Sequence, residues 1–140
     1  MTPEELSTLH HKCFLQPRPW SPNEFRQLLG SCFLVERSNA FLLGRFILDD
    51  AEILTLAVSP RERRKGVASL LVKEFFLKAT EQGVKRVTLE VAEDNLPALA
   101  LYNSFHFINI GRREKYYKSI NQQKNVAALV LSCDLLLTNQ

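Results

Sequence analysis

The stretch Ile53-Leu54-Thr55-Leu56-Ala57-Val58-Ser59-Pro60-Arg61-Glu62-Arg63-Arg64-Lys65-Gly66-Val67-Ala68 decides the fold of this chain. Its first six residues are almost all apolar, which is typical of a central strand covered on both faces. A basic loop over residues 59–65 follows. From Val67 onward apolar residues recur at helical spacing, and Gly83 is a natural stop. The stretch therefore predicts a strand, a basic loop and a long helix.

Two short helices are predicted upstream from their start signals. Thr2-Pro3-Glu4-Glu5 combines a cap residue, a proline at the first helical position and a glutamate three residues after the cap. Ser21-Pro22-Asn23-Glu24 repeats this pattern. We expect these helices at about 3–13 and 22–29. Strand patterns follow at residues 32–36 and 41–48, with turns expected at Ser38-Asn39 and Asp49-Asp50.

The chain downstream of the long helix alternates again between strand and helix patterns. We expect a strand at residues 85–92, a helix at 95–104 and strands at 105–111 and about 126–136. The polar segment 115–125 is interpreted as an exposed, mobile loop. At 140 residues the chain has room for one domain. The element order predicts a single α/β domain with a mixed sheet, over residues 1–140.

Composition excludes several classes of protein. The apolar fraction of 46% and the charged fraction of 24% are those of an ordinary globular protein. No apolar run approaches the ~20 residues that span a bilayer, and the acidic N-terminus lacks the features of a secretory signal. We expect a cytoplasmic protein with no membrane partner. A net charge of +3 is too small to identify a nucleic-acid binder.

Cysteine and histidine usage predicts no metal and no disulfide framework. Cys13, Cys32 and Cys133 are an odd number at wide spacing and match no zinc signature. His10 and His11 lie close to Cys13, but adjacent histidines on a helix point in different directions. We therefore expect no metal site.

The basic loop is a candidate anion site. A helix that begins at Gly66 presents free backbone N–H groups at its positive end, where phosphate binds. Glycine allows close approach of an anion, and Ala68 keeps the first turn small. Four cations within five residues add charge around it: Arg61, Arg63, Arg64 and Lys65. A solvated basic turn explains the same residues, and the Walker phosphate loop does not match.

The run Leu56-Ala57-Val58-Ser59-Pro60 followed by Arg63-Arg64-Lys65-Gly66-Val67-Ala68 resembles the signature of the GNAT superfamily, Gln/Arg-x-x-Gly-x-Gly/Ala. This resemblance implies the GNAT fold, a mixed, mostly antiparallel twisted sheet of six to seven strands flanked by about four helices. It also implies that the loop holds the pyrophosphate of acetyl-CoA, and that a splay at the end of the preceding strand offers backbone groups to the pantetheine. The cofactor-binding residues implied are Leu56, Ala57, Val58, Arg63, Arg64, Lys65, Gly66, Val67, Ala68 and Asn95.

Other segments are similar to one group within that superfamily, the ribosomal-protein alanine N-acetyltransferases of the RimI group. They are Pro19-Trp20-Ser21, residues 89–95, residues 98–102 and Arg112-Arg113-Glu114-Lys115-Tyr116-Tyr117. The similarity runs from about Cys13 to Tyr117. It implies transfer of an acetyl group to a protein N-terminus, that of ribosomal protein S18, by a monomer or weak homodimer that requires no nucleic acid. Trp20, Tyr116 and Tyr117 would line the acceptor side, although paired tyrosines are also typical of amphipathic packing.

Glu90 is the candidate base. Val87, Leu89 and Val91 share one face of its strand, so the carboxylate projects from the other. A glutamate on a solvated sheet face explains this pattern as well. The resemblance implies that Glu90 accepts the proton of the amine, through a water molecule.

Tyr102 lies on an apolar helix stripe, which is also typical of a core tyrosine. The resemblance implies that it is the general acid. Because a tyrosine of pKa ~10 is a weaker acid than a thiol of ~8.5, full proton transfer costs about 2 kcal/mol, and a hydrogen bond to the thiolate is the alternative. Asn95 matches a cofactor-contacting asparagine and equally a helix cap before Pro97, and the two roles are compatible.

The neutral fraction of each kind of amine at pH 7 helps to choose between possible acceptors. At pH 7 roughly 10–20% of an α-amine is neutral, against ~0.04% of a lysine, which favours a protein N-terminus. A small amine, a lysine or an aminoacyl group remains an alternative acceptor, and a non-catalytic acyl-CoA-binding module is an alternative function. The sequence departs from the family at His106, which replaces a glycine, so we expect a turn there that tolerates a side chain and a structural role for His106.

Overall fold

The computed structural model describes residues 1–13, 19–118 and 125–138, and of residues 115–118, 125 and 137–138 it describes the backbone alone. Two helices and then three strands come first, and a 3-10 turn at Pro60–Glu62 separates them from the second half, which runs helix, strand, helix, two strands and a short helix. The elements are α1 Pro3–Cys13, α2 Pro22–Leu29, β1 Phe33–Arg37, β2 Ala40–Ile47, β3 Asp50–Val58, α3 Val67–Glu81, β4 Arg86–Ala92, α4 Leu96–Ser104, β5 Ile108–Lys118, β6 Asn125–Asp134 and α5 Leu135–Thr138.

The six strands form one sheet in the order β1-β2-β3-β4-β6-β5. Within the described part of the chain only the β3–β4 pair is parallel, and α3 is the crossover that a parallel pair requires. The other four pairs are antiparallel. The expected mixed, mostly antiparallel sheet is therefore confirmed. Because β6 inserts between β4 and β5, these two strands are not neighbours in the sheet although they follow one another along the chain.

The first two helices begin and end where their sequence signals predict. Thr2 and Glu5 exchange hydrogen bonds between side chain and backbone, each of 3.1 Å. Ser21 and Glu24 form the same capping box, at 3.1 and 3.2 Å. These local bonds satisfy N–H groups that have no partner inside the helix. Helix starts were predictable because the signal lies in consecutive residues.

Each face of the sheet carries its own hydrophobic core. The main core lies beneath α3 and α4 and includes Leu71, Phe75 and Tyr102. The smaller core lies beneath α1 and α2, where Leu6 and Phe25 are fully buried. β3 contributes to both cores, which confirms the expectation of a central strand covered on both faces.

A β-bulge in β3 is built around Gly44. Leu43 pairs with Thr55 and Gly44 pairs with Ile53, so Leu54 is an extra residue in β3. A Cβ on Gly44 would lie 2.4 Å from the ring of Phe75. Since Phe75 is fully buried in the main core, only glycine lets α3 lie this close to the sheet.

Several strand boundaries differ from the sequence prediction. β3 begins at Asp50, which pairs with Ile47, so the turn lies at residues 48–49 and not at Asp49-Asp50. β1 and β2 are each displaced by one residue from the predicted 32–36 and 41–48. Leu48 adopts a positive φ of 56° in that turn, a conformation uncommon for leucine, and the sequence therefore gave no signal for it.

The last two strands were predicted least well. The strand expected at 105–111 is wrong at its start, because Phe105 and His106 close α4, and β5 runs instead over Ile108–Lys118. The expected loop is accordingly wrong for residues 115–118 and for Asn125, which lie in strands, and residues 119–124 lie outside the described part. β6 ends at Asp134, and the apolar run that continues it is the short helix α5, since a short apolar run fits either structure.

Within residues 1–13, 19–118 and 125–138, no helix is long and apolar enough to cross a membrane.

Candidate active site

The basic loop ends in a helix start without a side-chain cap. Gly66 is the N-cap residue of α3 and has a φ of 77°, in the left-handed region that favours glycine. A Cβ there would meet no atom within 4 Å, so the backbone angle requires the glycine and the space beside it is open. The first turn of α3 contains no acidic residue. Its N–H groups therefore face an open, positive helix end.

The cations of the loop lie in different environments. Arg64 is exposed and has a φ of 66°. Lys65 lies 3.5 Å from Glu62, and the exposure of both side chains makes this pair weak. Arg63 turns back to the strand, where its Nε donates to the carbonyl oxygen of Val58 at 3.3 Å. The loop thus keeps exposed positive charge while Arg63 fixes its start to β3.

The two parallel strands separate beside this loop. Pairing of β3 with β4 covers Asp50–Ile53 opposite Arg86–Leu89 and ends there. Both strands continue, β3 to Val58 and β4 to Ala92. On its other side β3 stays paired with β2 up to Val58. Among the residues that the structure describes, the second half of β3 therefore has a ladder partner on one edge only, and the expected splay is present.

The residues at this splay and loop fit acetyl-CoA. An unpaired strand edge offers backbone donors and acceptors to an extended amide chain, and a helix start with exposed cations offers N–H groups and charge to a diphosphate. The structure brings the two features together, because Val58 ends the strand and contacts Arg63 of the loop. Cys13, at the end of α1, adds a contact to the same carbonyl, with its Sγ at 3.2 Å.

Glu90 lies on the sheet face opposite the main core. Its neighbours Val87, Leu89 and Val91 are buried in that core, while Glu90 is half-buried with 24% of its side chain exposed. The alternation predicted from the sequence is confirmed. Its Oε1 lies 3.0 Å from Nη1 of Arg113, a residue of β5. The candidate base therefore has a cationic neighbour that the sequence did not predict.

Tyr102 lies on the other face. It packs in the main core with 7% of its surface exposed, edge to face against Phe107 at 5.4 Å between ring centroids. Burial raises the pKa of Tyr102 far above its ordinary value of 10.0. Proton transfer from this hydroxyl to a thiolate is therefore costlier than reference values suggest, and donation of a hydrogen bond becomes the better description of its potential role.

Asn95 caps α4 beside the end of β4. Its Oδ1 accepts a hydrogen bond from the N–H of Ala98 at 3.3 Å. The cap that the sequence allowed is therefore present, and a contact to the cofactor stays a prediction.

Trp20 is held within the smaller core. Its indole stacks on His10 with centroids 5.1 Å apart, and it lies 5.4 Å from the ring of Phe25. The backbone N–H of Trp20 donates to Nδ1 of His10 at 3.0 Å, and the backbone carbonyl of Trp20 accepts from the hydroxyl of Ser7. These contacts give Trp20 a structural role, and its predicted contact to an acceptor stays untested. Tyr116 and Tyr117 lie in β5, with side chains outside the described part.

His10 is a buried, neutral histidine. It is 2% exposed, and burial lowers its pKa from 6.5 to about 4, with a smaller contribution from His11. Since Nδ1 accepts from Trp20, the proton lies on Nε2, which donates to Oγ1 of Thr55 at 3.1 Å. His10 and Cys13 thus serve packing. In the described residues, no group of three His, Cys, Asp or Glu side chains is placed to hold a metal ion.

His106 closes α4 in the place where a glycine is usual. Its φ is 69°, its N–H donates to the Asn103 carbonyl at 3.0 Å, and the N–H of Phe107 donates to the Tyr102 carbonyl at 3.1 Å. This is a Schellman closure with a left-handed residue that carries a side chain. The side chain of His106 is exposed. The expectation that the turn at His106 tolerates a side chain is confirmed.

Sequence reasoning missed two contacts at this site. Arg113 is separated from Glu90 by 23 positions along the chain, and only the insertion of β6 between β4 and β5 brings them together. Cys13 reaches Val58 from a different helix. Neither contact has a local signal, although Arg113 lies in a segment that carries the resemblance.

Comparison with known proteins identifies the family. The sequence profile described as "Acetyltransferase (GNAT) family" matches residues 4–107. The chain is 29% identical over 119 residues to the [ribosomal protein bS18]-alanine N-acetyltransferase of Salmonella typhimurium, covering 81% of this chain and 80% of that protein. It is 32% identical over 126 residues to the N-alpha-acetyltransferase RimI of Mycobacterium tuberculosis, covering 82% and 78%.

The fold agrees with that result. The crystal structure of the ribosomal-protein-S18-alanine N-acetyltransferase from Escherichia coli superposes with a TM-score of 0.81 at 24% identity, over 92% of this chain and 84% of that one. The profile, the relatives and the splayed strands lead to one conclusion. The chain belongs to the GNAT family and is an acetyl-CoA-dependent N-acetyltransferase.

Proposed function

We propose that this chain acetylates the α-amine of a protein N-terminus, of the kind that ribosomal protein S18 presents. The observation that carries the proposal is the position of Glu90 beside the splay of β3 and β4. Glu90 projects from one face of the sheet and Tyr102 packs on the other. A thioester lying in the gap between the strands would have a carboxylate on one side and a phenol on the other.

Glu90 serves as the base in this proposal. An amine attacks only when neutral, so its proton passes to the carboxylate, directly or through one water molecule. The new bond between nitrogen and the acetyl carbon would form as the carbon–sulfur bond breaks, and the sulfur would leave with the electron pair. The extra proton that remains on nitrogen would pass to the thiolate through solvent, which gives the amide and a free thiol. The face that holds Glu90 is half-exposed, which lets a chain end approach it.

Tyr102 stabilises the departing sulfur by donating a hydrogen bond. Its raised pKa keeps the hydroxyl protonated, so it remains a donor throughout the working range of pH. In a buried site such a bond to an anion is stronger than in water. Residues 63–68 and the edge of β3 hold the cofactor, whose thioester supplies the activated acetyl group.

The acceptor class rests on chemistry and on the relatives. The relative from Salmonella typhimurium is described as a [ribosomal protein bS18]-alanine N-acetyltransferase. With one carboxylate on a half-exposed face, the site suits an α-amine, of which roughly 10–20% is neutral at pH 7, better than a lysine at ~0.04%. Such an acceptor is cytoplasmic, so the proposal places this chain in the cytoplasm as well.

One experiment tests acceptor and cofactor together. The purified protein is incubated with isotopically labelled acetyl-CoA and an extract of ribosomal proteins, and the labelled species are identified by mass spectrometry. We expect a single acetyl group on the N-terminal residue of S18. Label confined to lysine side chains or to small amines would contradict the proposal.

Glu90→Gln is the matched control for that experiment. The amide keeps the size of the side chain and removes its basicity, so we expect kcat/KM to fall about 100-fold while the fold is kept. Wild-type kcat/KM at pH 7 would show that Glu90 is not the base. The KM for acetyl-CoA should change little, because Glu90 is placed toward the acceptor.

A further inference from the structure

We propose that Arg113 is a positioning residue for Glu90, holding its carboxylate aimed at the acceptor. The inference rests on the proposed function, in which Glu90 is the base. The contact that carries it joins Nη1 of Arg113 to Oε1 of Glu90 at 3.0 Å, across an intervening strand.

The sheet is built so that this reach is possible. In the register of β4, β6 and β5, Glu90 lies opposite Val130, which lies opposite Gly111. In the next row, Ala92 lies opposite Ala128, which lies opposite Arg113. Arg113 therefore lies diagonally from Glu90 and reaches over β6 beside Val130 and Ala128, next to a glycine that adds no side chain.

The permanent charge of Arg113 excludes it as a base and leaves it the role of holding Glu90. An arginine stays protonated in proteins, so Arg113 cannot take the amine proton in place of Glu90. Its contact with Oε1 of Glu90 can fix the orientation of that oxygen. The contact joins Nη1 of Arg113 to Oε1 of Glu90, and Arg113 itself contacts neither acceptor nor cofactor in this proposal.

The pair has little structural value of its own. The Arg113 side chain is 61% exposed, and ion pairs at such exposure contribute little to stability. Loss of the contact should therefore leave the fold intact. The adjacent Arg112 offers a matched comparison: it lies opposite Leu129, a residue that packs against the main core, and it pairs with Glu93 at 3.0 and 3.1 Å. It thus carries the same charge on the other face.

The experiment compares four variants in steady-state kinetics with an N-terminal alanine peptide. Arg113→Gln should lower kcat/KM for the peptide about tenfold and leave the KM for acetyl-CoA unchanged. Arg113→Lys should recover most of that loss, because it restores the positive charge. Arg112→Gln removes the same charge one residue away and should stay within twofold of wild type. Thermal unfolding confirms that each variant folds.

The fourth variant, Glu90→Gln combined with Arg113→Gln, distinguishes the inference from the function on which it rests. If Arg113 acts through Glu90, the double variant is no slower than Glu90→Gln alone. Losses that multiply, or a kcat/KM of Arg113→Gln at or above wild type, would overturn the positioning role while Glu90 stays the base. Wild-type activity of Glu90→Gln would instead overturn the proposed function itself.

Discussion

The two faces of the sheet differ in how much helix covers them. On one face α3 and α4 bury a continuous main core that runs from β1 to β6. On the other, α1 and α2 cover a smaller core over β2 and β3, and Glu90 and Val130 farther along stay half-exposed. The tightly packed core and the candidate base therefore lie on opposite faces of the sheet. The main-core face fixes the positions of the strands, and the half-exposed face presents the carboxylate.

The largest effect should come from Gly44, where the main core is tightest. Gly44→Ala places a Cβ 2.4 Å from the Phe75 ring and 2.8 Å from the carbonyl oxygen of Glu52, and we expect a loss of about 3 kcal/mol. Chemical denaturation measures it. Gly30→Ala is the control, since its φ is −70° and its nearest contact is 3.9 Å away. Equal stability of both variants would show that the main-core face is not tightly packed.

An intermediate effect should come from the smaller core through His10. Burial lowers its pKa from 6.5 to about 4, so the unfolded chain binds this proton more readily between those values. The stabilisation is complete above pH 6.5 and is lost as the pH falls toward 4. From pH 7 to pH 5 we expect a loss of roughly 1–2 kcal/mol from this residue. His10→Gln should flatten that dependence in denaturation curves, and an unchanged slope would contradict a buried neutral histidine.

The smallest effect should be a gain at the end of α4. His106 holds a φ of 69°, which costs a residue with a side chain more than glycine. We expect His106→Gly to stabilise the protein by about 1 kcal/mol. Asn103→Gly, inside the same helix, should destabilise it instead. Thermal unfolding compares the two, and a loss for His106→Gly would mean that the imidazole makes contacts that outweigh the strain.

The sequence predicted what local residues determine. Both capping boxes, the long helix from Val67 and the alternation around Glu90 follow from spacing within a few positions, and the structure confirms them. The start of α3 was predictable because its N-cap residue, Gly66, is a glycine in the left-handed conformation. At His106 the same backbone conformation occurs without glycine, and the start of β5 was accordingly misplaced.

The order of the strands in the sheet could not be predicted from local sequence patterns. The contact between Arg113 and Glu90 exists because β6, which comes last, inserts between β4 and β5. The bulge at Leu54 depends on how closely Phe75 of α3 lies to Gly44. Both features are tertiary, and both affect the site: the first holds the candidate base, and the second lies at the point where β3 leaves β4.

The ratio of kcat/KM for two matched peptides at pH 7 tests the central claim most directly. One peptide has a free N-terminal alanine and no lysine, and the other has a blocked N-terminus and one lysine. The neutral fractions of the two amines predict a preference for the first of at least tenfold, and of roughly 300-fold if neutral amine alone limits the rate. A ratio of one or below would contradict an enzyme specific for protein N-termini.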